Sequence, residues 1–241
     1  MQPEAVTESA LAELRAGVVD VFPAAVAVVP FGLLLGALAA QQGLSPLEVL
    51  VMSATVFAGS SQFVAVKLWS DPAPWLLVTV SALMVNCRHV LMGASLAPKI
   101  RHIHGFRSLV TLFLMADEVW ALAEQRAVRR RLTFAYYLGL GGFLYLNWVA
   151  WNGVGAVVGA LLEDPAAYGF DFAFTAIFLT LLVDLGRGPR SAVAIAASAG
   201  VATATYLLVD GPWYIAAGGL AGALAGALVG PARRPLDEPA P

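Results

Sequence analysis

Residues 57–63 read FAGSSQF, a polar interruption in an apolar run that extends from about residue 46 to about residue 69. A helix crosses the hydrocarbon of a bilayer with about 20 residues at a rise of about 1.5 Å each. A glycine, two hydroxyls and an amide halfway along such a helix are costly against lipid, but they are useful when they line a cavity inside a helix bundle. The pattern therefore predicts a membrane helix that is interrupted at a site for a polar solute.

The composition is that of an all-α, polytopic membrane protein. Of the 241 residues, 59% are hydrophobic and 12% are charged, which is about half the charged fraction of soluble domains. The formal net charge of −2 gives no sign of a nucleic-acid partner. The single cysteine, Cys87, excludes an intrachain disulfide. The 3 histidines are too scattered to indicate a metal site, and no cofactor is expected. The sequence has no nucleophile elbow, HExxH or phosphate-cradling loop, so we expect no enzymatic activity.

Apolar segments divide nearly the whole chain. We expect an N-terminal segment over residues 1–15, a single transmembrane domain over residues 16–230 and a disordered tail over residues 231–241. The apolar segments within that domain are 16–40, 46–69, 74–97, 108–123, 132–162, 168–184, 190–209 and 211–230.

Basic residues orient these segments, because they gather in cytoplasmic loops. Arg233 and Arg234 predict a cytoplasmic C-terminus. When the spans are counted back from that end, residues 124–131 also lie inside. The basic stretch 98–107 also belongs inside, so the short segment 108–123 is expected to dip into the membrane and return. About seven transmembrane helices then remain, with an outer N-terminus. The alternative is eight full spans, with one loop that breaks the charge rule.

A short pattern hints at an internal duplication. The sequence GxxxGAL occurs at residues 32–38 and again at residues 155–161. In the seven-span topology the two copies point in opposite directions, as in the inverted repeats of secondary transporters with discontinuous helices. Gly-xxx-Gly is also common in membrane helices by chance.

The interruption at residues 57–63 offers a site for a zwitterion. If the helix unwinds there, the freed N–H groups of the downstream half-helix suit a carboxylate and the freed carbonyls suit an ammonium. The first candidates to bind substrate are therefore Gly59, Ser60, Ser61 and Gln62. The alternative is a continuous helix in which the glycine and the serines permit close packing.

A second polar group, Asn86, Arg88 and His89, lies just past the middle of the next apolar segment. An arginine at this depth costs at least about 2.5 kcal/mol. Asp117 and Glu118 either neutralise Arg88 or take up and release protons, and His89 is a further candidate proton carrier. In the alternative interpretation, Arg88 snorkels toward the inner loop as a structural residue and the two carboxylates lie in cytoplasmic water.

Trp148 and Asn152 lie in the middle of the run 132–162, together with Asn147 and Trp151. Tryptophans usually anchor a helix at the membrane interface. In the middle of a run, an aromatic wall beside two amides suits a pocket for an apolar side chain. Plain helix packing is the alternative.

Several of these stretches resemble the AzlC family, the larger subunit of bacterial branched-chain amino acid exporters (the LIV-E family). The resemblance extends from about residue 23 to about residue 229, and its most specific parts are FAGSSQF at 57–63 and NCRHVLMGASLAP at 86–98. It implies export of neutral aliphatic amino acids across the bacterial inner membrane, coupled to protons. It also implies a small hydrophobic partner subunit of the AzlD type, and it allows a homo-oligomer of that heterodimer.

Two other classes of function stay open. A passive channel or facilitator would carry the solute without responding to a pH gradient. A non-transporting subunit of a membrane complex would leave flux intact when Gln62 or Arg88 is replaced.

Overall fold

The structure, a computed structural model, describes residues 9–70, 72–161, 172, 179, 188–209, 211 and 213–229. The chain divides into two compact units, residues 1–73 with 86–170 and residues 74–85 with 171–241. The described residues form helices and no strand, so the predicted all-α class is confirmed. Most of the predicted segment 168–184 and the whole tail 231–241 lie outside the described residues.

In chain order, the described helices are α1 (Ala10–Ala27), α2 (Val29–Gln41), α3 (Pro46–Thr55), α4 (Gly59–Lys67), α5 (Trp75–Asn86), α6 (Arg88–Leu96), α7 (Phe106–Phe113), α8 (Asp117–Arg129), α9 (Phe134–Leu161), α10 (Pro189–Leu208) and α11 (Trp213–Leu228).

Three helical stretches of the described residues are long and apolar enough to cross a membrane: Trp75–Leu96, α9 and α10. Helices α1 and α2 add a fourth if they count as one span, bent by 53°. Pro30, near the start of α2, explains the bend, because proline lacks an N–H and its ring clashes with the carbonyl four residues earlier. The chain is a membrane protein with broken helices, and the predicted number of seven spans is not confirmed.

Two predicted boundaries differ from the structure. Helix α1 begins at Ala10, before the predicted start at residue 16, because the Ser9 hydroxyl caps it by accepting from the Ala12 N–H at 3.2 Å. Helix α8 continues to Arg129, so most of the predicted loop 124–131 is helical.

Helix α9 is the central helix of the first unit, and both α1 and α2 pack along it. The contacts are made by glycines. A Cβ on Gly36 would overlap the Asn152 carbonyl, and a Cβ on Gly155 would overlap the Leu33 carbonyl. The helices therefore touch backbone to backbone, which only small residues permit.

These contacts also fix the relative direction of the helices. Thr133 meets Glu13 near the start of α9, whereas Gly159 meets Ala37 near its end. Helices α1 and α2 thus run parallel to α9, and the prediction that the two GxxxGAL segments point in opposite directions is wrong. Glu13 pairs with Arg126 at 2.6 Å. The start of α1 therefore lies at the same end of α9 as Arg126, whereas the predicted topology placed it opposite residues 124–131.

Helices α7 and α8 form a hairpin against α9. The Arg107 guanidinium lies 5.5 Å from the centre of the Phe134 ring, and Leu114 packs against Gly141 further along α9. The chain then returns toward the start of α9, where the Arg126 guanidinium lies 4.0 Å from the centre of the Tyr136 ring. The chain doubles back over residues 106–129 rather than 108–123, and the dip of this segment into the membrane stays a prediction.

Helices α3 and α4 also fold toward each other. The Gln62 amide donates to the Ser53 hydroxyl at 3.1 Å, although residues nine apart in a straight helix are separated by about 13 Å along its axis. Leu50 packs on Gly153, and the Phe57 ring centre lies 5.4 Å from that of Tyr145, so α3 runs antiparallel to α9. The α3–α4 segment therefore approaches the middle of α9 from the end opposite to α7.

The predicted interruption of the 46–69 helix is confirmed, but its position differs. Residues 56–58 are the non-helical ones, and residues 59–62 form the first turn of α4. The polar residues of FAGSSQF therefore begin the second half-helix and do not form the unwound segment itself.

In the second unit, α10 and α11 pack through small residues. A Cβ on Gly218 would press on Ala202, and a Cβ on Gly222 would press on Ser198. The Arg190 side chain also donates to the Gly226 carbonyl at 2.7 Å. This pair of helices is held by close backbone contact and a charged anchor.

Candidate functional site

The two broken segments meet at one side chain of α9. The Tyr145 ring centre lies 5.4 Å from that of Phe57, beside the first break, and 5.6 Å from that of Phe113, beside the second. The Tyr145 hydroxyl also donates to the Ala54 carbonyl at 2.9 Å. Both interruptions therefore lie at the same level of α9.

Each break is followed by a half-helix whose N-terminus has no side-chain cap. The N-cap residues are Ala58 for α4 and Ala116 for α8, and neither side chain accepts a hydrogen bond. By contrast, Ser9 caps α1, and Ser45 forms a capping box with Glu48 on α3. Alanine is a poor N-cap, so the N-cap residue supplies no acceptor at either helix end. In α8, Asp117 and Glu118 place two carboxylates in the first turn, whereas the first turn of α4 has no acidic residue.

Arg88 connects these two helix ends. Its guanidinium donates to the Ser60 hydroxyl at 2.6 Å, in the first turn of α4. It also pairs with the Asp117 carboxylate at 2.7 Å, in the first turn of α8. The side chains of Arg88 and Asp117 are 40% and 47% exposed, so a solute can reach the ion pair. The predicted pairing of Arg88 with one of the two acidic residues is present.

The other residues of the FAGSSQF segment are held by separate partners. The Ser61 hydroxyl donates to the Asn86 side chain at 2.9 Å. Gln62, which is 1% exposed, accepts from the Trp148 indole N–H at 2.9 Å and donates to Ser53. A buried amide with both ends bonded is rigid, so Gln62 fixes the start of α4 against both α3 and α9.

Gly59 allows the Trp148 ring to approach the first turn of α4. A Cβ at this position would lie 3.1 Å from two carbons of the indole. The Trp148 ring therefore stands directly beside the uncapped end of α4, and its role as the wall of a substrate pocket stays a prediction. Trp151, the other predicted member of that wall, packs instead against Gly32, and its indole donates to Asn147 at 3.1 Å.

Three other predicted site residues form no direct bond to the Arg88 pair. His89 Nδ1 lies 3.3 Å from the Asn86 carbonyl rather than on a carboxylate. Glu118 follows Asp117 in α8 but forms no ion pair within the described residues. Asn152 is fully buried where α2 crosses α9, and its amide donates to the Trp148 carbonyl at 2.6 Å.

The sequence did not reveal the roles of Ser53 and Tyr145 at the site. Ser53 is fully buried and orients Gln62, and Tyr145 touches both breaks. A serine and a tyrosine inside apolar runs give no distinguishing signal, because only the fold brings them to the interruptions.

A second polar cluster, also missed, ties α1 to α8 and α9. Glu13 accepts from Arg126 and from the Thr133 hydroxyl, each at 2.6 Å. The Tyr136 hydroxyl donates to Asp20 at 2.8 Å. Sequence analysis assigned Glu13 to an N-terminal segment outside the membrane domain, whereas it is 7% exposed in the structure.

The chemistry of the Arg88 site is that of recognition. A guanidinium and the uncapped end of α4 suit a carboxylate, and the Asp117 carboxylate suits an ammonium. Among the described residues, no group of three or more histidine, cysteine, aspartate or glutamate side chains is placed to hold a metal ion.

Comparison with known proteins identifies relatives along most of the chain. An uncharacterized membrane protein of Archaeoglobus fulgidus is 32% identical over 201 residues, which cover 82% of this chain and 86% of the relative. Inner membrane protein YgaZ of Escherichia coli is 29% identical, with 84% of each chain covered. Branched-chain amino acid transport protein AzlC of Bacillus subtilis is 28% identical, with 74% of this chain and 70% of the relative covered. No solved structure matches the chain.

The family comparison covers both broken segments and α9. The model of the AzlC protein family matches residues 23–162, which contain Arg88, Asp117 and the first turn of α4. The chain therefore belongs to the AzlC family.

Proposed function

We propose that this chain is a secondary transporter that exports branched-chain and other neutral aliphatic amino acids across the bacterial inner membrane. In this proposal, export is coupled to protons and needs a small AzlD-like membrane subunit. Membership of the AzlC family and the relative named as a branched-chain amino acid transport protein support membrane transport. The relative named as an inner membrane protein supports the location.

The observation that carries this proposal is the position of Arg88 between two uncapped helix ends. A substrate carboxylate would bind to the Arg88 guanidinium and to the first N–H groups of α4. The substrate ammonium would bind to the Asp117 carboxylate. A free amino acid carries both charges on neighbouring atoms and therefore fits across this pair.

The apolar side chain of the substrate would lie against the Trp148 ring. This ring is held by Gln62 and stands beside Gly59, next to the proposed carboxylate position. An aromatic ring favours contact with aliphatic over charged side chains.

In this proposal, the Asp117 carboxylate couples export to protons. When it is ionised, it binds the substrate ammonium; when it is protonated, it offers no charge to the ammonium. The proton and the substrate therefore compete for the Asp117 carboxylate. Because the transporter can carry only one of them at a time, it moves them across the membrane in opposite directions. Inward proton movement would then drive outward movement of the amino acid.

The test is counterflow of labelled leucine in proteoliposomes that contain the chain with or without the AzlD-like subunit. We expect leucine exchange with both subunits and faster leucine movement toward the more acidic compartment when a pH gradient is imposed. Equal flux with and without the gradient would indicate a passive facilitator. Absence of flux for leucine, isoleucine and valine with both subunits present would refute the proposal.

A further inference from the structure

A cavity lies beside the first turns of α9. Its volume is about 400 Å³, within the range of about 300–1,000 Å³ that is usual for small-molecule sites. Its lining includes Asp20, Leu122, Tyr136 and three arginines, Arg126, Arg129 and Arg130. Arg126 is nine residues beyond Asp117, about 13 Å along α8, so this cavity is separate from the Arg88 site.

The lining carries both signs of charge. Asp20 is exposed and is oriented by the Tyr136 hydroxyl, which donates to one of its carboxylate oxygens at 2.8 Å. The other oxygen has no hydrogen-bond partner among the described residues. Arg129 is exposed and forms no ion pair within the described part of the chain. An oriented acceptor and a cation therefore face the same space.

The apolar part of the lining comes from Leu122 and from the Tyr136 ring. This ring is held on its other side, because the Arg126 guanidinium lies over it at 4.0 Å from its centre and is itself paired with Glu13. The aromatic surface is thus fixed in position rather than free to turn.

We propose that this cavity is a second binding site for a zwitterionic amino acid with an apolar side chain. The ammonium binds to Asp20, the carboxylate binds to Arg129, and the side chain contacts Leu122 and Tyr136. A purely anionic ligand would leave the oriented Asp20 carboxylate without a partner. The inference rests on the proposed function for the class of substrate, and it adds a site that the exported molecule occupies before it reaches Arg88.

The side of the membrane follows from charge. Arg126, Arg129, Arg130 and Arg131 gather at this end of α9, and basic residues mark the cytoplasmic face. An exporter collects its substrate from the cytoplasm, so a cavity at this end is where the substrate first meets the chain.

The test measures equilibrium binding of labelled leucine to the purified complex in nanodiscs of phosphatidylcholine, a lipid without a primary amine. The wild type is expected to bind two leucines per chain, and Asp20→Asn is expected to bind one. Asparagine keeps an acceptor for the Tyr136 hydroxyl and removes only the charge. Glu124→Gln removes a carboxylate from α8 outside both sites and serves as the matched control, with two leucines still bound.

The same measurement in an Arg88→Ala background isolates the second site. One leucine should remain bound, and adding Asp20→Asn should weaken this binding by at least about tenfold, the equivalent of about 1.4 kcal/mol. A wild type that binds one leucine, lost in Arg88→Ala, would overturn the second site and leave the proposed function intact.

Two further outcomes separate the remaining explanations. If phosphoethanolamine binds in an Asp20-dependent manner and leucine does not, the cavity is a lipid-headgroup site and the inference is wrong. If Asp20-dependent leucine binding persists but the wild type moves no amino acid in proteoliposomes, the second site stands and the proposed transport function fails.

Discussion

Arg88 and Asp117 form an ion pair of 2.7 Å between the first residues of two different helices, α6 and α8. If the substrate binds across this pair, replacing Arg88 and replacing Asp117 should have different effects on transport. Arg88→Gln should lower leucine flux in proteoliposomes by at least about tenfold, because a hydrogen bond to a charged group contributes about 1.5–3 kcal/mol.

Asp117→Asn imitates the protonated carboxylate. We expect weaker leucine exchange that no longer responds to an imposed pH gradient. Glu124→Gln is the control for both variants. It removes the ion pair of Glu124, in α8, with Lys99, which follows α6. If the control loses as much flux as Arg88→Gln, the Arg88 pair serves only to hold the helices together.

Trp148→Phe should destabilise the protein more than Trp151→Phe does. Phenylalanine removes the indole donor and leaves the buried Gln62 carbonyl oxygen without a partner, at a cost of about 1–3 kcal/mol. The Trp151 indole bonds to Asn147 within the same helix and is only partly buried, so its loss should cost less. Thermal unfolding of the two purified variants measures the difference, and equal midpoints would contradict the assigned role of Gln62.

Gly59→Ala should impair transport, because the added methyl group lies 3.1 Å from the Trp148 ring. That ring is fixed by Gln62, so the methyl displaces either the indole or the first turn of α4, with a cost of about 1–3 kcal/mol. Gly142→Ala is the control, since its Cβ meets only Leu138, at 3.7 Å. Leucine counterflow should fall in the first variant alone; unchanged flux in Gly59→Ala would show that the close approach is not needed.

Gly36→Ala should weaken the fold, because its methyl group would overlap the backbone carbonyl of Asn152. A backbone atom cannot turn aside, so α2 must move away from α9 and lose contacts along its length. Gly219→Ala, with nothing near its Cβ, should be tolerated. Midpoints of thermal unfolding that are equal for the two variants would contradict the parallel packing of α2 on α9.

The sequence predicted those features that depend on local residue pattern. Helices α9, α10 and α11 follow from long apolar runs, and the first break follows from the polar residues that begin α4. The second break was not predicted as such, because residues 114–116 are themselves apolar and only Asp117 and Glu118 mark it. The hairpin of α7 and α8 was nevertheless expected from the basic residues on both sides of it.

The contacts between distant residues were harder to predict. The parallel packing of α2 on α9 depends on backbone contact between glycines, and GxxxG does not encode direction. The bond between Gln62 and Trp148 joins residues in different helices, and nothing local to either one specifies the other. A pairing of Arg88 with Asp117 or Glu118 could be suggested from the sequence, because an isolated intramembrane arginine needs a counter-charge.

Tyr145 has a mechanical consequence. Its ring lies between Phe57, at the break before α4, and Phe113, at the break before α8. A shift of either break along α9 would therefore displace the ring toward the other. The two breaks approach Tyr145 from opposite ends of α9. If one of these segments moves during transport, we expect this phenol ring to carry part of that movement to the other.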